Sequence, residues 1–303
     1  MPIRTIRGQS VVITGATSGI GRETALAFAR AGARVVVAGR RQERLDELVA
    51  EVEGRRGEAL AVQTDVAEQT QVERLIERAV ERFGAVDTLV NNAGVGIAAP
   101  FEQQSIEDFR RVMEVNFWGA VYGCKAVVPL LRQRPYGGVI INVSSILGKR
   151  GVPFETAYCA SKFALAGFSE ALRTEVMSAG IDVSTIFPGA VESELWESSA
   201  NQTGAQMPAM MPMFPARELA RIIVQDARFP QPEIVMSLDA QAINFLNTLA
   251  PGMMDFMLCQ SAPFMEGLRA AASPGGENAE GNLYAPRGAG RRASRGTPRS
   301  RGS

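Results

Sequence analysis

Histidine is absent from this chain of 303 residues. That absence excludes Ser-His-Asp and Cys-His nucleophilic machinery, histidine general bases and the common histidine-containing zinc sites, so no metal site is expected and any chemistry rests on other side chains. Cysteine is scarce as well. Cys124, Cys159 and Cys259 lie far apart, form no C-x-x-C pair and are odd in number, which argues against a disulfide framework and fits a reducing compartment. No apolar run approaches the roughly 18 residues of a membrane span, and Val11–Ile13 is too short for a secretory core. The expectation is a cytoplasmic protein, with membrane contact not indicated. Neither charge is in excess: Lys+Arg and Asp+Glu are both 32, which removes any whole-chain attraction to nucleic acid.

What is present suits a single large core. Apolar residues make up 46% and charged residues 21%, close to the averages of globular chains. Short β-branched runs alternate with segments of helical period, the signature of βαβ units and a parallel sheet. Seven strands are expected, over Val11–Thr14, Arg34–Ala38, Ala59–Gln63, Thr88–Asn91, Val139–Val143, Asp182–Ile186 and Glu233–Met236. Helices are expected near Gly19–Ala31, Arg41–Glu53, Glu68–Phe83, Ser105–Leu131, Ala157–Ser178 and Pro215–Ala227. The strands are continuously apolar, which implies helices on both faces of the sheet: a doubly wound α/β fold over residues 1–237. Residues 197–215 mix polar residues, prolines and methionines and read as a long loop over a substrate. Residues 238–272 form an apolar C-terminal extension, and 273–303, rich in Gly, Ser, Pro and Arg, read as a disordered basic tail that buries little.

The first strand runs into Thr14-Gly15-Ala16-Thr17-Ser18-Gly19-Ile20-Gly21 and then a helix. Gly15 suits the tight turn, Gly19 a close approach of backbone to a pyrophosphate, and Gly21 the packing of helix on strand; the helix N-terminus adds N–H groups for the phosphates. Further on, Tyr158 and Lys162 stand four apart, on one face of a helix. A nearby ammonium, or any other positive charge beside it, would favour the phenolate of such a tyrosine.

The spacing G-x-x-x-G-x-G, together with Asn91-Asn92-Ala93-Gly94 and Tyr158-Cys159-Ala160-Ser161-Lys162, resembles the classical short-chain dehydrogenase/reductase family over about residues 8–237. The resemblance implies a single Rossmann domain, a nicotinamide dinucleotide and a carbonyl or alcohol substrate. It makes Tyr158 the general acid for reduction and base for oxidation. Lys162 becomes the group that binds the nicotinamide ribose, Ser145 the donor to the substrate oxygen, and Asn116 the support of a water linking the lysine to solvent. Asp65 and Val66 match the adenine contact, although Asp65 also suits a helix cap. Asn92, Ala93 and Gly94 match the family's cofactor wall. Pro188, Gly189 and Val191 match its turn beside the carboxamide, with Ser193 where many members place threonine. Small residues such as Ala120, Gly123, Ala164 and Gly167 lie on two helices that pair in the family's homodimers and homotetramers, and they also suit internal packing.

The end of the second strand, Ala38-Gly39-Arg40-Arg41, lacks the carboxylate that would hold an NAD ribose. Arg40 can pair with a 2′-phosphate, so NADP(H) is expected over NAD(H). Arg40 and Arg41 also suit the solvated start of a helix. Two other functions compete with the enzyme. One is a non-catalytic NADP-sensing scaffold, against which the intact Ser145, Tyr158 and Lys162 argue. The other is a binder of anionic surfaces through the basic tail, whose charge bias begins only after the folded part.

Overall fold

The computed structural model describes residues 4–192, 194, 199–203, 213–236, 241, 245–247, 249–259 and 281–286. Of the positions singled out above, Ser193, most of the 197–215 loop and much of 238–303 lie outside the described residues.

Seven parallel strands form one sheet: β1 (Ser10–Thr14), β2 (Arg34–Gly39), β3 (Glu58–Gln63), β4 (Thr88–Asn91), β6 (Gly138–Val143), β7 (Ile181–Phe187) and β9 (Glu233–Val235). All seven coincide with the expected strands to within a residue or so at each end. Their spatial order is β3-β2-β1-β4-β6-β7-β9. The chain leaves β1 outward through β2 and β3 and returns to β4 on the other side, which opens a crevice at the carboxyl ends of β1 and β4.

The strands are apolar on both faces because both are covered. Along β1, Val11 and Ile13 join one buried cluster while Val12 joins the other. The first cluster is closed by α1 (Gly19–Arg30), α2 (Gln42–Gly54) and α7 (Ala216–Arg228), through residues such as Phe28, Leu45 and Ile223. The second is closed by α3 (Gln69–Phe83), α5 (Gly119–Arg132) and α6 (Thr156–Val176), through Leu75, Val127 and Val176 among others. Each fully buried side chain of this size contributes roughly 1.5–3 kcal/mol.

The single helix expected over Ser105–Leu131 has three parts. α4 (Ile106–Met113) begins at Ser105, whose Oγ accepts from Asp108 N at 3.0 Å; a π-helical turn, Glu114–Trp118, follows, and α5 continues to Arg132. π turns widen a helix by one residue and occur often at functional sites. Here the turn carries Asn116. Two two-residue strands that the sequence did not announce, β5 (Ile97–Ala98) and β8 (Ala200–Asn201), pair in parallel and close a third apolar cluster beside α4.

The structure corrects the view of residues 273–303 as a wholly disordered tail. Gly281–Pro286 pack on the domain, and Leu283 is completely buried in the third cluster with Val66, Val112 and Ala200. One apolar anchor among glycines and polar residues escapes a compositional reading, yet its burial is worth about 1.5–3 kcal/mol. Among the described residues no helix is long and apolar enough to cross a membrane, and no cluster of three or more His, Cys, Asp or Glu could hold a metal ion.

Candidate active site

The glycine turn stands at the crevice between β1 and β4. Gly15 has φ +68°, and a Cβ there would lie 2.7 Å from Ala93 Cα. A Cβ on Gly21 would come within 2.3 Å of Gly15 O. Only bare backbone fits at these two positions; Ala16 N is already given to Ala38 O at 2.9 Å, so the N–H groups offered to a phosphate are those of the first turn of α1. Asn92 locks the opposite wall: its Nδ2 donates to Thr14 O at 2.9 Å, and Thr14 Oγ1 accepts from Asn92 N and Ala93 N at 3.0 and 3.1 Å. This cradle fits a dinucleotide pyrophosphate, with Thr17, Ser18, Gly19 and Ile20 on its rim.

At the far end of the cradle the two arginines differ. Arg41 is the residue before α2, but it turns back over the glycine turn, donating to Thr17 Oγ1 at 2.8 Å and Ser18 Oγ at 3.0 Å and pairing with Glu194 at 3.1 Å. Arg40 points instead toward the docked C-terminal segment, donating to the carbonyls of Asn282, Leu283 and Tyr284 at 2.5, 3.3 and 3.1 Å. Its burial lowers the guanidinium pKa, partly offset by Asp65. The helix-cap reading of Asp65 does not hold, because α3 is preceded by Glu68. Asp65 Oδ1 accepts from Ala67 N at 3.1 Å, and Oδ2 pairs with Arg111 at 2.6 Å.

The candidate catalytic groups converge at the carboxyl ends of β4, β6 and β7. Tyr158 and Lys162 project from the first turns of α6, both buried, with the ammonium 5.6 Å from the tyrosine ring centroid. Ser145 caps the short turn after β6, its Oγ accepting from Leu147 N at 3.1 Å. Lys162 Nζ donates to Val143 O at 3.0 Å, and burial pushes its pKa down to about 8. The Tyr158 phenol is pushed above its ordinary range by burial first and Glu155 second, with the nearby Ser145 hydroxyl working against both. In the protein alone, burial thus works against the phenolate that a neighbouring ammonium and a positively charged nicotinamide would favour.

Asn116 lies next to this group with its amide saturated. Oδ1 accepts from Val95 N at 2.8 Å, and Nδ2 donates to Val95 O and Ser161 Oγ, each at 2.9 Å. It ties the loop after β4 to α6. Gly94 forms the floor between them, since a Cβ there would stand 3.5 Å from Asn116 Oδ1 and 3.8 Å from Lys162 Nζ. The turn Pro188-Gly189 is held by Ile146 N donating to Pro188 O at 2.8 Å, and Val191 bridges to Phe214. The glycine turn, Asn92, Gly94, Asn116, Ser145, Tyr158 and Lys162 thus stand together at the carboxyl ends of the strands.

Two contributors to the site were not legible in the sequence. Arg111 belongs to the adenosine end but sits in an amphipathic helix with no motif. Glu155, buried with its pKa pushed up to about 7, belongs to the tyrosine's electrostatics but stands in a loop. Of the small residues on α5, Gly123 and Ala120 pack inward, Gly123 against Asn91 and Leu89, which settles those two for internal packing.

Residues 9–204 match the family described as short chain dehydrogenase. Over 261 residues the chain is 35% identical to the uncharacterized oxidoreductase YxnA of Bacillus subtilis (strain 168), covering 85% of this chain and 73% of YxnA. It is 42% identical over 185 residues to the probable oxidoreductase EphD of Mycobacterium tuberculosis, covering 61% of this chain and 31% of EphD, so it spans about a third of that relative. Among solved structures, a short chain dehydrogenase/reductase from Burkholderia phymatum in complex with NAD matches with a TM-score of 0.77 at 25% identity, over 83% of this chain and 97% of that one.

Proposed function

The chain belongs to the short-chain dehydrogenase family and is an oxidoreductase of that family, and from that premise we propose that it transfers hydride between NADP(H) and a carbonyl or alcohol substrate through Ser145, Tyr158 and Lys162. The observation that carries this reading is the placement of Tyr158 and Lys162 on one face of α6, buried with the ammonium 5.6 Å from the tyrosine ring centroid, with Ser145 at the end of β6. The nicotinamide supplies the hydride; the protein supplies the proton and the field. A phenol whose pKa is raised by burial stays protonated at neutral pH and can donate to the carbonyl oxygen as charge develops there. The Ser145 hydroxyl stabilises the same oxygen, Lys162 holds the ribose hydroxyls, and Asn116 positions the lysine's surroundings.

NADP(H) is favoured because β2 ends without a carboxylate and Arg40 and Arg41 flank the adenosine end. Arg40→Ala is expected to weaken NADP(H) by roughly 1.5–3 kcal/mol and to spare NAD(H), the value of a charge-assisted contact. Titration of both cofactors checks this, and an NADP(H) affinity that Arg40→Ala leaves unchanged refutes it.

For the substrate we infer a bulky apolar carbonyl or alcohol. The C-terminal extension is anchored just past Ser145, with Arg150 donating to Asn247 at 2.8 Å and Asn247 to Lys149 O at 3.2 Å. Within it Met254 is buried while Phe245, Leu246 and Met253 are exposed, and Phe214 of the loop bridges to Val191. Flexible methionines and aromatics suit an irregular apolar pocket. Specificity constants are expected to be higher across an apolar ketone and alcohol series than across polyols, and faster turnover of the polyols would end this assignment. A second copy of the chain is assigned to the outer face of α5 and α6, where Trp118 and Phe163 are exposed and Gly167 has open space beside it.

A further inference from the structure

The docked segment Gly281–Pro286 lies along the crevice that the cofactor reading assigns. At one end Gly281 abuts Ala200 of β8, whose N donates to Gly96 O at 3.1 Å, and a Cβ on Gly96 would lie 3.9 Å from the Tyr158 ring. At the other end three successive carbonyls, of Asn282, Leu283 and Tyr284, accept from both terminal nitrogens of Arg40. Leu283 is the anchor between them, fully buried, and its carbonyl also accepts from Arg111 Nε at 2.9 Å while Arg111 pairs with Asp65. The Tyr284 hydroxyl donates to Asp108 Oδ1 at 2.9 Å and fastens the segment to α4.

A 2′-phosphate needs the terminal N–H groups of Arg40, because a guanidinium grips a phosphate through paired donors. Those groups are already given to carbonyl oxygens, whose partial negative charge would face the phosphate. An unphosphorylated ribose makes no such demand. We propose that Gly281–Pro286 is a cofactor-specificity strap: its backbone carbonyls compete with the 2′-phosphate for Arg40, so that docking of the strap lowers the affinity for NADP(H) selectively and leaves that for NAD(H) nearly unaltered. This rests on the reading of Arg40 as the phosphate contact. The strap deepens that reading by making cofactor choice depend on a segment more than 240 residues away in the chain.

Gly281→Ala tests the strap with the rest of the chain intact. Gly281 has φ +52°, and a Cβ there would lie 2.2 Å from Ala200 N, a backbone atom that no rotamer change can move aside. The strap must leave. Affinity for a ligand whose competent state is only fractionally populated rises as that fraction rises, so the ratio of NAD(H) to NADP(H) dissociation constants is expected to increase about tenfold. The NAD(H) constant is expected to stay within about twofold, because it does not require the undocked state. Titration by tryptophan fluorescence measures both constants. An unchanged ratio overturns the proposal.

Hydrogen exchange on the wild-type chain gives a second measurement that needs no variant. Saturating NADP(H) is expected to speed exchange in the peptide containing Leu283 and Tyr284, whereas NAD(H) is not. Equal protection by both cofactors overturns the proposal. Arg40→Ala separates the two layers of argument: if it weakens NADP(H) while Gly281→Ala leaves the ratio unchanged, the strap alone is wrong. If Arg40→Ala leaves NADP(H) binding as in wild type, the phosphate reading fails and the strap fails with it.

Discussion

Tyr158→Phe is expected to lower kcat by roughly 10²–10⁴-fold in both directions, the range of a lost general acid or base, with NADP(H) affinity close to wild type. The substitution removes one oxygen and keeps the ring, which is 6% exposed and packed with Ile146, Leu147 and Cys159. Folding therefore loses little apolar burial. The direction of the pH dependence follows from the phenol's environment. Burial holds its pKa above the ordinary value, so in wild type the protonated form that reduction needs persists through neutral and mildly alkaline pH. Oxidation needs the phenolate and is expected to rise with pH until the phenol ionises. Steady-state rates in both directions, with cofactor affinity by fluorescence titration, check the pair of statements. A Tyr158→Phe protein that still reduces its best substrate at near wild-type rate removes the tyrosine from the mechanism.

How far the sequence carried this picture depends on the length of the signal behind each element. Strands such as Val35–Ala38 and Val139–Val143 are buried on both faces, so an unbroken β-branched run marks them and their position is nearly forced. The glycine turn was equally legible, because backbone collisions at Gly15 and Gly21 leave no freedom in residue type. The two-residue strands Ile97–Ala98 and Ala200–Asn201 have no period to detect; only their mutual pairing makes them strands. The π turn at Glu114–Trp118 hid for the opposite reason: one extra residue in a long amphipathic run leaves the apolar pattern almost intact while swinging Asn116 inward. The strap failed in a third way, since Leu283 is a single anchor in a composition that elsewhere signals disorder. Contacts between residues distant in the chain, Arg40 with Asn282 and Arg111 with Asp65, leave no local trace in either partner.

Lys162→Met is expected to make the fold more stable at pH 7 while removing activity. The side chain is 3% exposed, its ammonium donates to Val143 O, and burial lowers its pKa from 10.5 to about 8. Holding the charge in the folded state at neutral pH thus costs about 3 kcal/mol, since each tenfold change in proton affinity is worth about 1.4 kcal/mol. Methionine keeps the length and apolar stem of the lysine and forfeits a charge-assisted hydrogen bond worth roughly 1.5–3 kcal/mol, so the net gain at pH 7 is at most about 1.5 kcal/mol. The sign of the pH dependence is fixed by linkage. With the folded pKa below the unfolded one, the unfolded chain holds more protons between about pH 8 and 10.5, and wild-type stability rises across that window. The advantage of methionine is therefore full below about pH 8 and fades as pH rises toward 10.5. Urea unfolding of both proteins at about pH 7 and about pH 10 measures it, alongside turnover. An advantage that does not shrink with pH would show that the lysine's charge is not what strains the fold. A less stable variant at neutral pH would show that the Val143 contact outweighs the buried charge. Gain of stability with loss of turnover identifies Lys162 as a charge kept in the interior for its chemistry, since the fold alone would be better served without it.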